Sequence, residues 1–154
     1  MRSHRVFASR LIGCCAAAVL LWALSARAEP GDLKCEAQLI WGTNEASSPN
    51  PKHKPVAPEL EEKLKNSPFK WEHYFEVRRE RFIVPLAKEK TVPMSKNCEI
   101  RVKNLGDSQV ELRLFGKGKQ VSKITQALPK DQLLITGGNA ENSTAWFVVL
   151  KQAD

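Results

Sequence analysis

Two short segments near the middle of the chain alternate apolar and charged residues, and this period of two constrains the fold more than any other feature. The segment "CEIRVK" places apolar residues at even positions from 98 to 102, and "VELRL" does so from 110 to 114. The residues between them, "NLGDS", are typical of a turn. We predict a β-hairpin in which the numbers of opposite residues sum to 212, so that Val102 faces Val110, Arg101 faces Glu111 and Glu99 faces Arg113.

Segments of the same kind recur along the chain and are separated by turn-forming residues. Further strands are predicted over 33–43, 69–77, 82–86, 91–94, 121–126, 133–136 and 145–150. One short helix is predicted near 58–66, because Pro58 suits a first helical position, acidic residues follow it and lysines end the segment. About eight short strands predict an antiparallel all-β sandwich in one domain, 29–154, with a flexible proline-rich loop over 44–58.

Two turn motifs add a resemblance to this prediction. Asn104-Leu105-Gly106 separates the two hairpin segments, and Leu128-Pro129-Lys130-Asp131 precedes a later strand. Over residues 98–150 this order resembles bacterial immunoglobulin-like domains, although the Leu-Pro corner lacks their glycine. The resemblance implies an immunoglobulin-like sandwich of about 7–9 short strands. It concerns the fold alone, since such domains adhere, scaffold or space other domains.

The aromatic stretch "SPFKWEHYFEVRRERF", residues 67–82, also follows a period of two. Its odd positions from 69 to 77 are apolar apart from His73, and its even positions are charged apart from Tyr74. This pattern indicates a strand with one buried face, so most of the aromatic residues are predicted to be core. Tyr74 is left on the solvated face, and a bend or bulge is expected at 78–81, where the alternation breaks.

Residues 1–28 carry the three parts of a secretory signal peptide. Arginines open the segment, an uncharged apolar run extends from Leu11 to Leu24, and Ser25-Ala26-Arg27-Ala28 supplies small residues for cleavage after Ala28. The apolar run is shorter than the ~20 residues of a membrane span. A lipoprotein cleavage box at Leu11-Ile12-Gly13-Cys14 is the alternative. We expect a secreted or periplasmic protein with no stable membrane span after cleavage.

Removal of this leader changes both the charge and the cysteine content. The chain has a net charge of +7, but the leader holds four of its 24 basic residues and no acidic residue, which leaves +3. Such a charge gives no reason to expect nucleic-acid binding. The two cysteines that remain, Cys35 and Cys98, are predicted to form one disulfide because exported chains are oxidised. Two free buried thiols are the alternative.

Candidate catalytic groups are sparse. His53 lies in the proline-rich loop and is interpreted as solvated, and His73 lies within the aromatic strand and is interpreted as a core residue. We find no nucleophile motif, phosphate-binding loop or metal-ligand spacing. We therefore predict a protein that is not an enzyme and needs no cofactor or metal. A small secreted hydrolase with His73 as its base is the alternative.

Two basic clusters and one tyrosine are the candidate ligand-binding residues. The clusters and the tyrosine comprise Arg78, Arg79 and Arg81, then Lys117, Lys119 and Lys123, and Tyr74. If they met on one sheet face, they would form an anion-binding patch, whereas solvated surface charge is the alternative reading.

Taken together, the leader, the fold class and the scarcity of catalytic groups predict an exported, non-enzymatic binding or assembly module of the cell envelope. The expected partner is another envelope protein or a glycan, bound by loops or by an open sheet edge. A protease inhibitor that presents loop 44–58 is a further hypothesis.

Overall fold

The computed structural model describes residues 30–140 and 143–154, which form two antiparallel sheets and one helix. The predicted leader, residues 1–28, lies outside the described residues. Within the described part of the chain, no helix is both long and apolar enough to cross a membrane. The predicted all-β sandwich with one short helix is confirmed.

The described residues contain nine strands. They are β1 (Leu33–Thr43), β2 (Lys54–Pro55), β3 (His73–Val84), β4 (Glu89–Pro93), β5 (Cys98–Gly106), β6 (Gln109–Gly116), β7 (Lys119–Ala127), β8 (Leu134–Asn139) and β9 (Ala145–Gln152). Sheet A has five strands in the order β2-β3-β1-β9-β8, and sheet B has four in the order β4-β5-β6-β7. Sheet B is therefore a meander of consecutive strands, whereas sheet A joins distant parts of the chain.

Apolar cores lie on both faces of sheet A. The larger core fills the space between the sheets, where Leu33, Ala37 and Leu39 of β1 share one cluster with Ile100 and Leu112 of sheet B. We refer to this side as the inner face of sheet A. Because sheet A is buried on its outer face as well, the all-apolar segment 145–150 forms a central strand, as its composition predicts.

The helix α1 (Pro58–Lys65) covers the outer face of sheet A. It begins at Pro58, with Glu59 and Glu61 in its first turn and lysines in its last, as predicted. Leu60 and Leu64 are buried on one side of the helix and share a second core with Ile40, Phe147 and Val149 of the sheet. The spacing of the two leucines therefore fixes which side of the helix faces the sheet.

Strands β5 and β6 form the predicted hairpin, but their register differs from the expected one by two residues. Val102 pairs with Leu112, so that opposite residue numbers sum to 214. A slip of two residues keeps the same side chains buried, so the alternation could not detect it. The turn decides the register. Asp107 and Ser108 adopt φ angles of 48° and 59°, and Gly106, with a φ of 90°, lies next to a bulge in the ladder.

This slip changes the charge pairs on the exposed face of the hairpin. Arg101 faces Arg113, so the predicted cross-strand pairs Arg101–Glu111 and Glu99–Arg113 are wrong. Arg101 instead donates to Glu99 on its own strand at 3.0 Å. Arg113 pairs with Glu89 of β4, and its Nε lies 3.3 Å from a carboxylate oxygen of Glu111. Opposite charges still interleave on this face, through neighbours on the same strand and, for Arg113, through Glu89 of β4.

Strand β3 begins with both of its faces buried, which its alternation did not predict. Tyr74 is 2% exposed and packs in the core beneath α1, where its ring centroid lies 6.1 Å from that of Phe147. Phe75 points to the inner face, 6.0 Å from the ring of Trp41. The placement of Tyr74 on a solvated face is therefore wrong. The irregularity that follows is a bulge at Val77, since Arg78 pairs with Leu39 and Glu76 pairs with the next residue of β1.

Cys35 and Cys98 are free, buried thiols, so the predicted disulfide is wrong. Cys98 borders a cleft that Leu39 also lines, whereas Cys35 lies four residues before Leu39 on β1, about 13 Å along the strand. A disulfide needs Cα atoms within about 7 Å of each other. Burial raises the pKa of the Cys35 thiol to about 12 and that of Cys98 to about 11.

One end of the sandwich is joined by the buried side chain of Asn104. Its Nδ2 donates to the carbonyl of Gly31 at 2.9 Å and to that of Val84 at 3.0 Å. Its Oδ1 accepts the N–H of Gly106 at 3.0 Å. One amide therefore ties the start of the domain to the end of β3 and to the hairpin turn. The opposite end of the sandwich opens into a cleft.

Candidate binding cleft between the sheets

A cleft of about 930 Å³ lies between the two sheets at the end remote from Asn104. Leu39, Trp41 and Trp146 of sheet A line one side of it. Cys98 at the start of β5 and Gly116 at the end of β6 border it on the side of sheet B. Its volume lies within the range of about 300–1,000 Å³ that small-molecule sites occupy.

A transverse row of aromatic residues crosses sheet A at this end. Phe75 of β3 pairs with Trp41 of β1, Trp41 pairs with Trp146 of β9, and Trp146 pairs with Gly138 of β8. Directly opposite side chains in antiparallel strands share a face and lie about 5 Å apart. We refer to Phe75, Trp41 and Trp146 as the aromatic row. Phe75 is buried, whereas both tryptophans are only half-buried and line the cleft.

Gly116 and Gly138 lie next to the ring of Trp146. A Cβ on Gly116 would lie 3.3 Å from Trp146 Cζ2, and a larger side chain there would press on the ring. A Cβ on Gly138 would lie 3.8 Å from its nearest neighbours, Trp146 and Val121, which is ordinary contact. Gly138 therefore leaves room for a Cβ at the end of the aromatic row, and a larger side chain placed there would fill part of the cleft that Gly138 lines.

Polar side chains occur mainly at the rim of the cleft. Ser95 and Asn97 come from the turn between β4 and β5, Lys117 comes from the turn between β6 and β7, and Asn139 ends β8. All four are exposed. The greater part of the remaining lining is apolar, so the cleft joins an apolar interior to a polar edge.

The proline-rich loop forms one wall of the cleft. Pro49 and His53 line it, and the His53 ring lies 6.4 Å from the ring of Trp41. His53 Nδ1 and the Ser48 hydroxyl are 2.8 Å apart, within hydrogen-bond distance. The loop then continues into β2, which pairs with β3. His53, which the sequence suggested was merely solvated, therefore contacts an aromatic residue of the cleft.

The arginines of the predicted patch lie away from the cleft and are bound by acidic residues. Glu36 on the outer face of sheet A is 1% exposed, and it accepts from Arg81 Nε at 2.6 Å. Arg79 and Lys151 lie 3.3 and 3.4 Å from its other oxygen, and Arg79 also pairs with Glu76 at 2.6 Å. Burial acts to raise the pKa of Glu36, but the Arg81 hydrogen bond and the charges of Lys151 and Arg79 outweigh it and lower the pKa.

The two basic clusters do not meet on one sheet face. Arg78 pairs with Glu80 on its own strand at 2.6 Å. Lys123 lies on sheet B, where it pairs with Glu111 at 3.1 Å, and Lys117 and Lys119 lie in and after the turn that precedes it. The arginine cluster therefore belongs to sheet A and the lysine cluster to sheet B. With Tyr74 buried as well, the structure does not assemble the predicted patch.

His73, the candidate base, is partly buried at the start of β3 opposite Thr43. Its side chain makes no hydrogen bond or ion pair with any residue in 30–140 or 143–154. In the same ranges no group of three or more His, Cys, Asp or Glu residues is placed to hold a metal ion.

The sequence did not single out Trp41 and Trp146, the two residues that distinguish this cleft. Trp41 continues the alternation of β1, and Trp146 lies in an all-apolar segment, so neither pattern distinguishes these residues from core residues. The available signal is that both tryptophans stand near strand ends, Trp41 close to the end of β1 and Trp146 close to the start of β9. That signal cannot show where sheet B ends relative to sheet A, and the position of this end is what leaves both tryptophans half-buried.

Comparisons with known proteins give no relative from which function could be transferred. No protein-family model matches the chain, and neither a curated protein nor a solved structure matches it significantly.

Proposed function

We propose that this protein is an exported, non-catalytic binding module of the cell envelope, and that its ligand occupies the cleft over Trp41 and Trp146. The main observation that supports this proposal is that two tryptophans lie side by side on neighbouring strands, line a cleft and remain half-buried. A tryptophan buries about 150–250 Å² when it is fully covered. A ligand that covers both rings therefore gains apolar contact that the fold leaves unused.

The surroundings of the tryptophan pair support binding by a pre-formed site. Trp41 is held between Phe75 and Trp146 in the sheet ladder, so its backbone position is fixed by pairing on both sides. Rigid aromatic side chains lose little conformational freedom when they bind, which is why they dominate many interfaces. The cellular location in this proposal is supported by the signal-peptide pattern of residues 1–28.

A neutral fluorescent probe tests whether the cleft binds. N-phenyl-1-naphthylamine, which brightens in apolar surroundings, is titrated into the wild-type chain and into Gly138→Leu. The new leucine would occupy cleft volume beside Trp146, where a Cβ meets nothing closer than 3.8 Å. We expect the substitution to weaken binding at least about tenfold, the equivalent of about 1.4 kcal/mol.

The matched control is Thr125→Leu, which adds an apolar side chain at an exposed position of sheet B outside the cleft lining. We expect this variant to bind the probe as the wild type does. Thermal unfolding of both variants checks that the fold is kept. Absence of binding by the wild type, or equal binding by all three proteins, would refute the proposal.

A further inference from the structure

We infer that the cleft takes a single hydrocarbon chain of an amphiphile, whose polar head lies at the rim near Ser95, Asn97 and Asn139. This inference rests on the proposed function and specifies its ligand. The deciding criterion is whether a ligand can be buried on this surface without losing its hydrogen bonds.

The chemistry of the lining argues first against a saccharide. A sugar ring could stack on one indole, but its hydroxyl groups would then be buried against Leu39 and Val77. Buried hydroxyls without partners lose the hydrogen bonds that water gave them. The polar side chains of the cleft lie mainly at its rim, where they can satisfy one polar head rather than a ring of hydroxyls on the floor.

The sheet geometry argues next against an extended peptide lying on the floor. The aromatic row is on the face of sheet A, not at its edge, because β1 lies between β3 and β9. Its backbone donors and acceptors are used by those two strands. A peptide lying across this face would leave its own backbone groups unpaired, and that is costly for buried amides.

A hydrocarbon chain meets neither difficulty, because it has no hydrogen-bonding groups to satisfy. The cleft lining crosses four neighbouring strands of sheet A, from Val77 of β3 to Gly138 of β8, and the three spacings of about 4.8 Å between them give a floor about 14 Å long. The floor ends at Gly138, which has no side chain, next to the exposed Asn139. A chain lying along the row would therefore contact both indoles and bring its head to an amide side chain.

A chain-length series tests this inference. Alkyl maltosides with chains of eight, ten and twelve carbons, each below its micelle-forming concentration, compete with bound N-phenyl-1-naphthylamine on the full chain. Maltose alone is the control for the head group. Because each buried methylene favours binding by a constant increment, we expect affinity to rise about fourfold per CH₂ until the floor is filled. Maltose alone should displace nothing.

The results separate this inference from the proposed function. The hydrocarbon-chain inference is wrong if the probe binds the wild type and Gly138→Leu weakens that binding, but maltoside affinity rises less than about twofold per CH₂ over the whole series. In that case the cleft still binds a ligand, and the proposed function stands. Displacement by maltose alone would also overturn the hydrocarbon-chain inference, in favour of a saccharide. In Gly138→Leu the dependence on chain length should be lost or shortened, whereas Thr125→Leu should retain it. If the probe does not bind the wild type, the proposed function itself fails.

Discussion

Gly137 and Gly138 are neighbours on β8 that differ sharply in the room they leave for a methyl group. A Cβ on Gly137 would lie 2.2 Å from the carbonyl oxygen of Trp146 and 2.9 Å from the Cα of Phe147, both in the backbone of β9. A Cβ on Gly138 would meet nothing closer than 3.8 Å. Backbone atoms cannot rotate away from a clash as a side chain can, so Gly137→Ala must push β8 away from β9.

The size of this effect follows from the pairing of the two strands. Overpacking costs about 1–3 kcal/mol, and each hydrogen bond lost between β8 and β9 adds about 1 kcal/mol. We therefore expect Gly137→Ala to lower the free energy of unfolding by about 3 kcal/mol or more. Gly138→Ala should instead change it by less than about 1 kcal/mol, with a stabilising contribution because alanine restricts the unfolded chain.

Urea unfolding of the wild type and both variants, followed by far-ultraviolet circular dichroism, measures the difference. In thermal unfolding, 1 kcal/mol corresponds to a shift of about 3–5 °C for a domain of this size. The reasoning would be refuted if Gly137→Ala were as stable as Gly138→Ala, since β9 would then not lie where its register with β8 places it.

Three further predictions concern the rest of the domain. Asn104→Ala should lower the free energy of unfolding by about 2–4 kcal/mol in urea unfolding, because two carbonyls and one N–H lose their partner; a change below about 0.5 kcal/mol would contradict this role. Folding lowers the pKa of Glu36, so its contribution to stability is complete above the unfolded carboxyl pKa of about 4.3 and is lost as the pH falls through the lower folded value. The free energy of unfolding, measured from pH 7 to pH 2, should therefore depend less on pH in Glu36→Gln than in the control Glu80→Gln. Identical pH profiles would refute the stabilising role of the Glu36 carboxylate. Cys35 and Cys98 should resist alkylation by iodoacetamide at pH 8 in the native protein, and both should be alkylated in denaturant without reductant. Peptide mass spectrometry measures the alkylation, and detection of a peptide in which the two cysteines are linked would show that they form a disulfide after all.

The strands and the helix were readable from local patterns, since alternation and capping act over a few residues. The helix at Pro58 and the hairpin of β5 and β6 are the clearest cases. Register was not readable to the same degree, because a shift of two residues preserves the buried face and only the turn at Asp107 and Ser108 distinguishes the alternatives.

Burial on two faces explains the failure at Tyr74. A period-two pattern identifies one buried face and predicts that water covers the other. In the structure the loop and helix that precede β3 cover that other face, so Tyr74 packs with Phe147 while Phe75 packs with Trp41. The contact with Phe147 joins residues 73 positions apart in the sequence, so no local pattern indicates it.

The candidate site was missed for a related reason. The clustered arginines suggest a binding patch because they are adjacent in sequence, yet Arg79 and Arg81 are bound to Glu36, more than forty residues away. Trp41 and Trp146 are over a hundred residues apart and become neighbours only when β1 pairs with β9. The cleft depends on that pairing and on where sheet B ends, and both are properties of the assembled sandwich.

The most direct test is an NMR measurement with bound dodecyl maltoside. It detects nuclear Overhauser effects between the methylene protons of the detergent and the indole protons of the protein. Replacing each tryptophan with phenylalanine in turn assigns the indole signals. The account predicts effects to Trp41 and Trp146, which line the cleft, and none to Trp71, which packs against Phe147 on the outer face of sheet A. Effects to Trp71 alone, or bound detergent with no effect to either cleft tryptophan, would contradict it.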